Sequence, residues 1–156
     1  MELFHALGVA VAPIARSWTA SSPREHFDVV GTCTFSDPKA NGTLVLSMDE
    51  NVYLLFPEPA LTSHARQDML KELTNQLIGR IKNRLLQFQL TLRTGLPSVV
   101  RKQMLDRQFA STPFAAYVFR TLRGEVVMTV HGLIDEAALN YASRVEVAKE
   151  GDFIEF

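Results

Sequence analysis

The stretch from Ser63 to Leu85, SHARQDMLKELTNQLIGRIKNRL, is the most periodic part of the sequence and organises the expected fold. Its apolar residues recur three and four positions apart, so one side of a helix would carry Leu70, Leu73, Leu77, Ile78, Ile81 and Leu85. This pattern predicts an amphipathic helix with one buried face. Ser63 is its predicted N-cap.

The segments on both sides of this helix alternate with the period of β-strands. Before the helix, two alternating runs predict the two strands of a first hairpin. In the first strand, one face is formed by Phe27, Val29, Gly31, Cys33 and Phe35. In the second strand, one face is formed by Leu44, Leu46 and Met48. The SDPKANG segment between them contains turn residues and predicts a loop longer than the two-residue ideal. After the helix, AAYVFRTL and EVVMTVHGL, separated by Arg123-Gly124, predict a second hairpin.

Four further segments have weaker patterns. Residues 3–18 suit a helix that Pro13 would kink or divide. Residues 49–56 suit a short helix that ends before Pro57. Alternation in Leu86, Phe88, Leu90 and Leu92 predicts a strand, and the tail from Asp135 is expected to hold a short helix.

Paired strand runs and few helices favour an α+β fold, a mostly antiparallel sheet with helices packed on one face. The length of 156 residues predicts one domain over 1–156. With 16 basic and 17 acidic side chains, the chain lacks the basic excess of nucleic-acid-binding modules. The mean hydropathy of +0.04, the lack of a long apolar run and the single cysteine, Cys33, favour a cytoplasmic protein without membrane spans or internal disulfides.

The polar face of the central helix contains residues that helix stability alone does not favour. Asp68, Asn75, Gln76, Gly79 and Asn83 all lie within about 60° of Glu72 around the helix axis. An ordinary solvated face is one interpretation. However, asparagine is a weak helix former, and glycine costs ~1 kcal/mol relative to alanine inside a helix. Gly79 would therefore admit either another molecule or a neighbouring loop of the same fold, and spacing alone does not separate these.

The motif on this face resembles the signature of a known family. Asp68-Met-Leu-Lys-Glu72-Leu-Thr-Asn75, followed by Gly79, Lys82 and Leu96-Pro97, is similar to the D-x-x-x-E-x-x-N pattern of the CheC/CheX-type chemotaxis phosphatases. The similarity is to the CheX-like branch, because a second copy is absent: Glu136 and Asn140 are four residues apart rather than three.

This resemblance implies hydrolysis of the aspartyl phosphate on a CheY-like response regulator. Glu72 would pair with the regulator's active-site lysine, and Asn75 would orient the attacking water. Asp68, Gln76, Gly79 and Lys82 would form the docking surface around them. The resemblance implies that the regulator holds the Mg²⁺, that this chain binds no cofactor, and that the protein forms a homodimer.

Two other functions stay open at this point. The same fold could serve as a non-catalytic binding module for a signalling partner, or as a small-molecule sensor with a pocket between helices and sheet. A metal site is not expected, because His5, His26, His64 and His131 lack metal-ligand spacing with Cys33 or with each other. Cys33 is expected to be a small core residue, although a Cys–His catalytic pair formed in space is not ruled out by spacing.

Overall fold

A single sheet of seven strands joins the described part of the chain, which in this computed structural model comprises residues 2–10, 12–17, 27–57, 59–109, 112 and 114–135. The strands are β1 (Ala12–Ser17), β2 (Val29–Asp37), β3 (Ala40–Met48), β4 (Arg93–Thr94), β5 (Ser98–Arg101), β6 (Phe114–Thr121) and β7 (Gly124–Ile134). Their order is β1-β6-β7-β3-β2-β4, with β5 also paired to β2, and every pairing is antiparallel.

Within the described ranges, three α-helices and two short 3-10 helices accompany the sheet. The α-helices are α1 (Glu2–Ala6), α2 (Ser63–Leu85) and α3 (Lys102–Gln108), and the 3-10 helices span Glu50–Leu55 and Leu86–Phe88. The α+β prediction is confirmed. So are the long central helix and the short helix that ends before Pro57.

Both predicted hairpins are present, but the first turn is tighter than expected. Asp37 pairs directly with Ala40, so the β2–β3 turn has two residues and the prediction of a longer loop is wrong. The Asp37 carboxylate accepts a hydrogen bond from the Lys39 backbone N–H at 2.9 Å, which stabilises the short turn. Asn41 and Gly42, expected in the loop, belong to β3. The β6–β7 hairpin is confirmed, with Thr121 opposite Gly124.

The two faces of the sheet pack against different elements. One face, which includes Cys33, Leu44 and Leu46, is covered by α1, α2 and the first 3-10 helix. On the opposite face, a smaller cluster contains Val30, Val45, Val118 and Val127, and Leu105 of α3 packs against it. Phe27 belongs to this smaller cluster, so its predicted place on the Cys33 face is wrong: it precedes β2 and does not follow the alternation of that strand.

The N-terminal prediction is also wrong, because the single helix expected over residues 3–18 is divided between a helix and a strand. Helix α1 ends at Ala6, and Gly8 follows with a φ of +76°. Residues 12–17 then form β1, which pairs with β6 at one end of the described strand order. A proline is tolerated where a strand has a neighbour on one side, and β6 is the one described neighbour of β1, so Pro13 is compatible with this strand.

The segment after α2 is not the strand that its alternation predicts. Gln89 adopts a left-handed conformation with a φ of +56°, and its N–H donates to the carbonyl of Leu86. The next backbone N–H groups donate to other partners, that of Leu90 to the Leu85 carbonyl and that of Thr91 to the Asp37 carboxylate. Leu90 and Leu92 are nevertheless buried, so the alternation records burial without strand pairing. The helix predicted after Asp135, with Glu136 and Asn140, lies outside the described residues.

Candidate functional site

Helix α2 is fixed at its start by a side-chain cap. The Thr62 hydroxyl accepts a hydrogen bond from the Ala65 backbone N–H at 3.1 Å, so the N-cap is Thr62 and the prediction of Ser63 is one residue late. A further contact holds the first turns, since the Arg66 guanidinium donates to the Ala60 carbonyl at 3.2 Å and lies 3.1 Å from the Glu50 carboxylate. The first turns are therefore attached to the segment that precedes the helix.

The inward face of α2 is the predicted one, with one polar addition. Leu70, Leu73 and Ile78 are buried, and the other predicted members, Leu77, Ile81 and Leu85, are partly buried against the same clusters. Thr74 is also fully buried, although the apolar pattern of the helix did not predict it. Its hydroxyl donates to the Leu70 carbonyl at 2.7 Å, so burial leaves no unpaired hydroxyl proton.

Thr74 lies directly over Gly31 of β2. A Cβ atom at position 31 would collide with the Thr74 hydroxyl and would come within 3.2 Å of the Leu70 side chain and carbonyl. The glycine therefore allows α2 to approach the sheet closely at this point. Together with the buried Leu70, Leu73 and Ile78, this contact determines which face of α2 lies against the sheet. A glycine within a buried strand was the sequence signal that could have indicated it.

With Thr74 held against the sheet, the neighbouring positions face away from it. Glu72 and Asn75, three residues apart, are both exposed. The Asp68 side chain is 69% exposed, and Gln76, Gly79 and Lys82 are partly exposed. The structure thus brings all six predicted site residues to the surface of one helix; hereafter these six residues are called the outward face.

Two side-chain pairs four residues apart connect positions along this part of α2. The Gln76 amide donates a hydrogen bond to the Glu72 carboxylate at 2.8 Å. Nearer the start of the helix, His64 Nδ1 lies 2.9 Å from the Asp68 carboxylate. Such pairs are expected where helical residues are separated by one turn. The first pair includes Glu72, one of the residues that carry the sequence resemblance.

Gly79 lies beside open space. A Cβ atom built at this position would have no heavy atom within 4 Å among the residues described, apart from the helix's own neighbouring backbone. No described loop of the same chain therefore uses the space that the glycine leaves, and that explanation of Gly79 is wrong for the part of the fold the structure describes. The conformational cost of the glycine has no visible benefit within this part of the protein.

The other candidate residues do not form a competing site in the described chain. Cys33 is 1% exposed, its thiol lies 3.4 Å from the Gly95 carbonyl, and burial raises the pKa of the thiol. A raised pKa disfavours the thiolate that a nucleophilic cysteine needs. The His131 ring stacks with Phe109 and Phe114 at 4.6 and 5.1 Å. Within the described ranges, no group of three or more His, Cys, Asp and Glu residues is placed to hold a metal ion. His26 is outside these ranges.

A surface depression of about 520 Å³ lies at the tip of the first hairpin, lined by Ser36, Asp37, Pro38, Thr91 and Arg93. It is not between α2 and the sheet, where a small-molecule sensor was expected to have its pocket.

Among the described helices, none has the length and apolar character needed to cross a membrane.

Comparison with solved structures identifies the fold. CheX from Vibrio vulnificus has a TM-score of 0.67 and 17% identity over 85% of this chain and 92% of that chain. A CheC-like superfamily protein from Shewanella sp. PV-4 gives 0.65 and 18% over 83% and 88%. CheX in a CheX-CheY-BeF3-Mg²⁺ complex from Borrelia burgdorferi gives 0.64 and 9% over 85% and 91%. No family profile and no curated protein matches the sequence.

The sheet and the helix above it therefore define a protein with the CheC-like and CheX chemotaxis fold. The fold implied by the sequence resemblance is confirmed, and the match covers most of the chain. Within that fold, the segment with the D-x-x-x-E-x-x-N pattern forms the central helix α2, whose outward face includes Glu72 and Asn75.

Proposed function

We propose that this protein is a CheX-like phosphatase that hydrolyses the aspartyl phosphate of a CheY-like response regulator. The observation that carries the proposal is the joint exposure of Glu72 and Asn75 on α2, next to the open space at Gly79. The solved complex of a CheX with CheY from Borrelia burgdorferi, which has the same fold, supports a receiver domain as the partner.

Glu72 would supply the attachment to the partner. Its carboxylate is exposed, and one of its oxygens accepts a hydrogen bond from Gln76. A carboxylate can form a charge-assisted hydrogen bond with the ammonium group of a lysine in the regulator's active site. This contact would fix the position of α2 over the phosphorylated aspartate and bring the neighbouring Asn75 into the same pocket.

Asn75 would orient the attacking water. Phosphoryl transfer depends mainly on an in-line nucleophile and on stabilisation of charge. An amide that holds the attacking water in line is therefore sufficient as this chain's contribution to catalysis. The water oxygen attacks phosphorus, the bond to the aspartyl oxygen breaks, and inorganic phosphate and a free carboxylate result. The Mg²⁺ and the phosphoryl group belong to the regulator in this proposal, and this chain supplies no cofactor.

The remaining members of the outward face would form the docking surface. Gly79 keeps the backbone accessible, Asp68 and Lys82 offer charges of opposite sign, and Gln76 borders Glu72. The proposal also includes a homodimer, as the resemblance implies, and a cytoplasmic location, because the proposed partner is a cytoplasmic signalling protein.

The proposal is tested by following dephosphorylation of CheY-type receiver domains from the same genome, each phosphorylated with acetyl phosphate. We expect Asn75→Ala to lower the rate about 100-fold, in the range seen when one oriented polar group is removed from a site. Glu72→Ala should chiefly weaken binding. Gln67→Ala, on another side of the same helix, is the control and should keep the wild-type rate. Equal rates in all four proteins would eliminate the phosphatase function.

A non-catalytic binding module is the alternative, and the same preparation distinguishes it. A binding module would retain a receiver domain in a pull-down and leave the lifetime of its phosphate unchanged. The exposed asparagine favours the catalytic function, because its amide can both accept a hydrogen bond from a water molecule and donate one to it.

A further inference from the structure

The hydrogen bond between Gln76 and Glu72 restricts one member of the proposed catalytic pair. The Gln76 Nε2 donates to Glu72 Oε1 at 2.8 Å, and Glu72 Oε2 takes no part in this bond. Glu72 is exposed, Gln76 is partly exposed, and neither belongs to the hydrophobic clusters of the described core. The Gln76 amide is thus the hydrogen-bond partner that the described structure provides for this carboxylate.

Building on the proposed function, we propose a narrower role for Gln76 within the docking surface: it is a positioning residue that orients the Glu72 carboxylate for the regulator's cation and acts through Glu72 rather than by a contact of its own. The bond to Oε1 restricts the glutamate side chain to a conformation that stays on the outward face of α2. Oε2 can then accept a hydrogen bond from an ammonium group of the partner. The affinity gain comes from side-chain freedom that is lost before binding rather than during it.

The chemical nature of the donor matters as much as its position. A glutamine amide donates a hydrogen bond without a net charge, so Glu72 keeps its full negative charge. A lysine at position 76 would also reach Glu72, since opposite charges four residues apart on a helix attract each other. It would, however, neutralise the carboxylate and repel a cation of the partner. A neutral donor therefore orients Glu72 and preserves its attraction for the partner.

The helix provides a matched control for this pair. Gln67 in the first turns of α2 is also a glutamine whose amide contacts the residue four positions earlier. Its Nε2 lies 3.4 Å from the Ser63 hydroxyl. Gln67 is about 140° from Glu72 around the helix axis and so lies away from the outward face. Gln67→Met and Gln76→Met each remove an amide donor and keep a side chain of similar length and helix propensity.

The experiment measures KM and kcat for dephosphorylation of the acetyl-phosphate-treated receiver that the wild-type protein acts on best. We expect Gln76→Met to raise KM about twofold, the upper end of what an exposed side-chain pair four residues apart contributes on a helix. The value of kcat should stay unchanged, because Asn75 is intact. Gln76→Lys should raise KM further than Gln76→Met, and Gln67→Met should change neither constant.

A double-mutant cycle decides whether Gln76 acts through Glu72. In a Glu72→Ala background, Gln76→Met should have no further effect on KM. An additional increase of the same size would show a direct contact with the regulator and overturn the positioning role, as would an unchanged KM for the single variant. These outcomes are separate from failure of the proposed function itself, in which no receiver is dephosphorylated or Asn75→Ala is as active as the wild type.

Discussion

The two faces of α2 belong to one helix, but different requirements explain their residues. On the inward face, Leu70 and Thr74 are completely buried against Gly31 of β2. The Thr74 hydroxyl also donates a hydrogen bond to the Leu70 carbonyl. On the outward face, Asn75 and Gly79 lower helix propensity, and the described residues provide no packing that compensates. The inward face can be understood from stability alone, whereas the residues of the outward face are explained only by the partner binding that we propose.

The comparison predicts that substitutions on the two faces have opposite effects. Inward changes should alter the free energy of unfolding and affect activity only through the folded population. Outward changes should alter activity and leave stability unchanged or improved. A substitution that changed both the free energy of unfolding and the activity of the folded protein would identify a residue needed for folding and for function.

The largest stability effect is expected at Leu70, which is 0% exposed. Leu70→Ala should lower the free energy of unfolding by about 2–5 kcal/mol, because it removes buried methyl groups and leaves a cavity. Urea denaturation followed by circular dichroism measures this. The same substitution at Leu122, which is 88% exposed, is the control and should change stability by less than about 0.5 kcal/mol. A loss below about 1 kcal/mol at Leu70 would contradict the assigned inward face.

A smaller loss is expected at the close contact between β2 and α2. Gly31→Ala should lower the free energy of unfolding by about 1–3 kcal/mol, since the new methyl group collides with Thr74 and overpacks the interface. The Gly31→Ala/Thr74→Ala double variant should recover part of this loss, because the hydroxyl in the collision is gone. Strictly additive losses in thermal or chemical denaturation would show that the two residues are not coupled.

The smallest change, and one of opposite sign, is expected at Gly79. Gly79→Ala should raise the free energy of unfolding by up to about 1 kcal/mol, because alanine favours the helix and its methyl group meets no described atom. Binding to the receiver domain should weaken at the same time, and Gly79→Leu should weaken it more. Denaturation and titration calorimetry of the same two variants provide the check. Improved stability with unchanged binding would mean that Gly79 does not face the partner.

Much of the fold could be predicted from the sequence where a segment's structure depends on residues close to it in the chain. The periodicity of α2 and the alternation of the β6–β7 hairpin depend on neighbouring residues, and both predictions are confirmed. Strand β1 pairs with β6, about a hundred residues away, so its environment was invisible in residues 3–18 alone. Leu90 and Leu92 alternate because they are buried, and only the contacts of their neighbours show that no strand forms there.

The candidate site divides in a similar way. The positions of Glu72 and Asn75 on one face follow from helix geometry, so the sequence was sufficient to predict that they lie together. The bond from Gln76 to Glu72 depends on side-chain conformations that spacing does not specify. Thr74 was missed because a buried threonine resembles a polar surface residue until its contact with Gly31 is known.

The contact between Thr74 and Gly31 also restricts how the length of this chain can vary. An extra residue inserted directly after Thr74 would turn the following part of α2 by about 100° relative to the sheet. Asn75 would move to the helical position that Gln76 now occupies, on the other side of Glu72, and its amide would be presented differently to a partner. Buried residues that follow the insertion, such as Ile78, would be turned away from the sheet. Insertions and deletions compatible with the proposed chemistry are therefore confined to the loops before and after the helix, where they leave its phase unchanged.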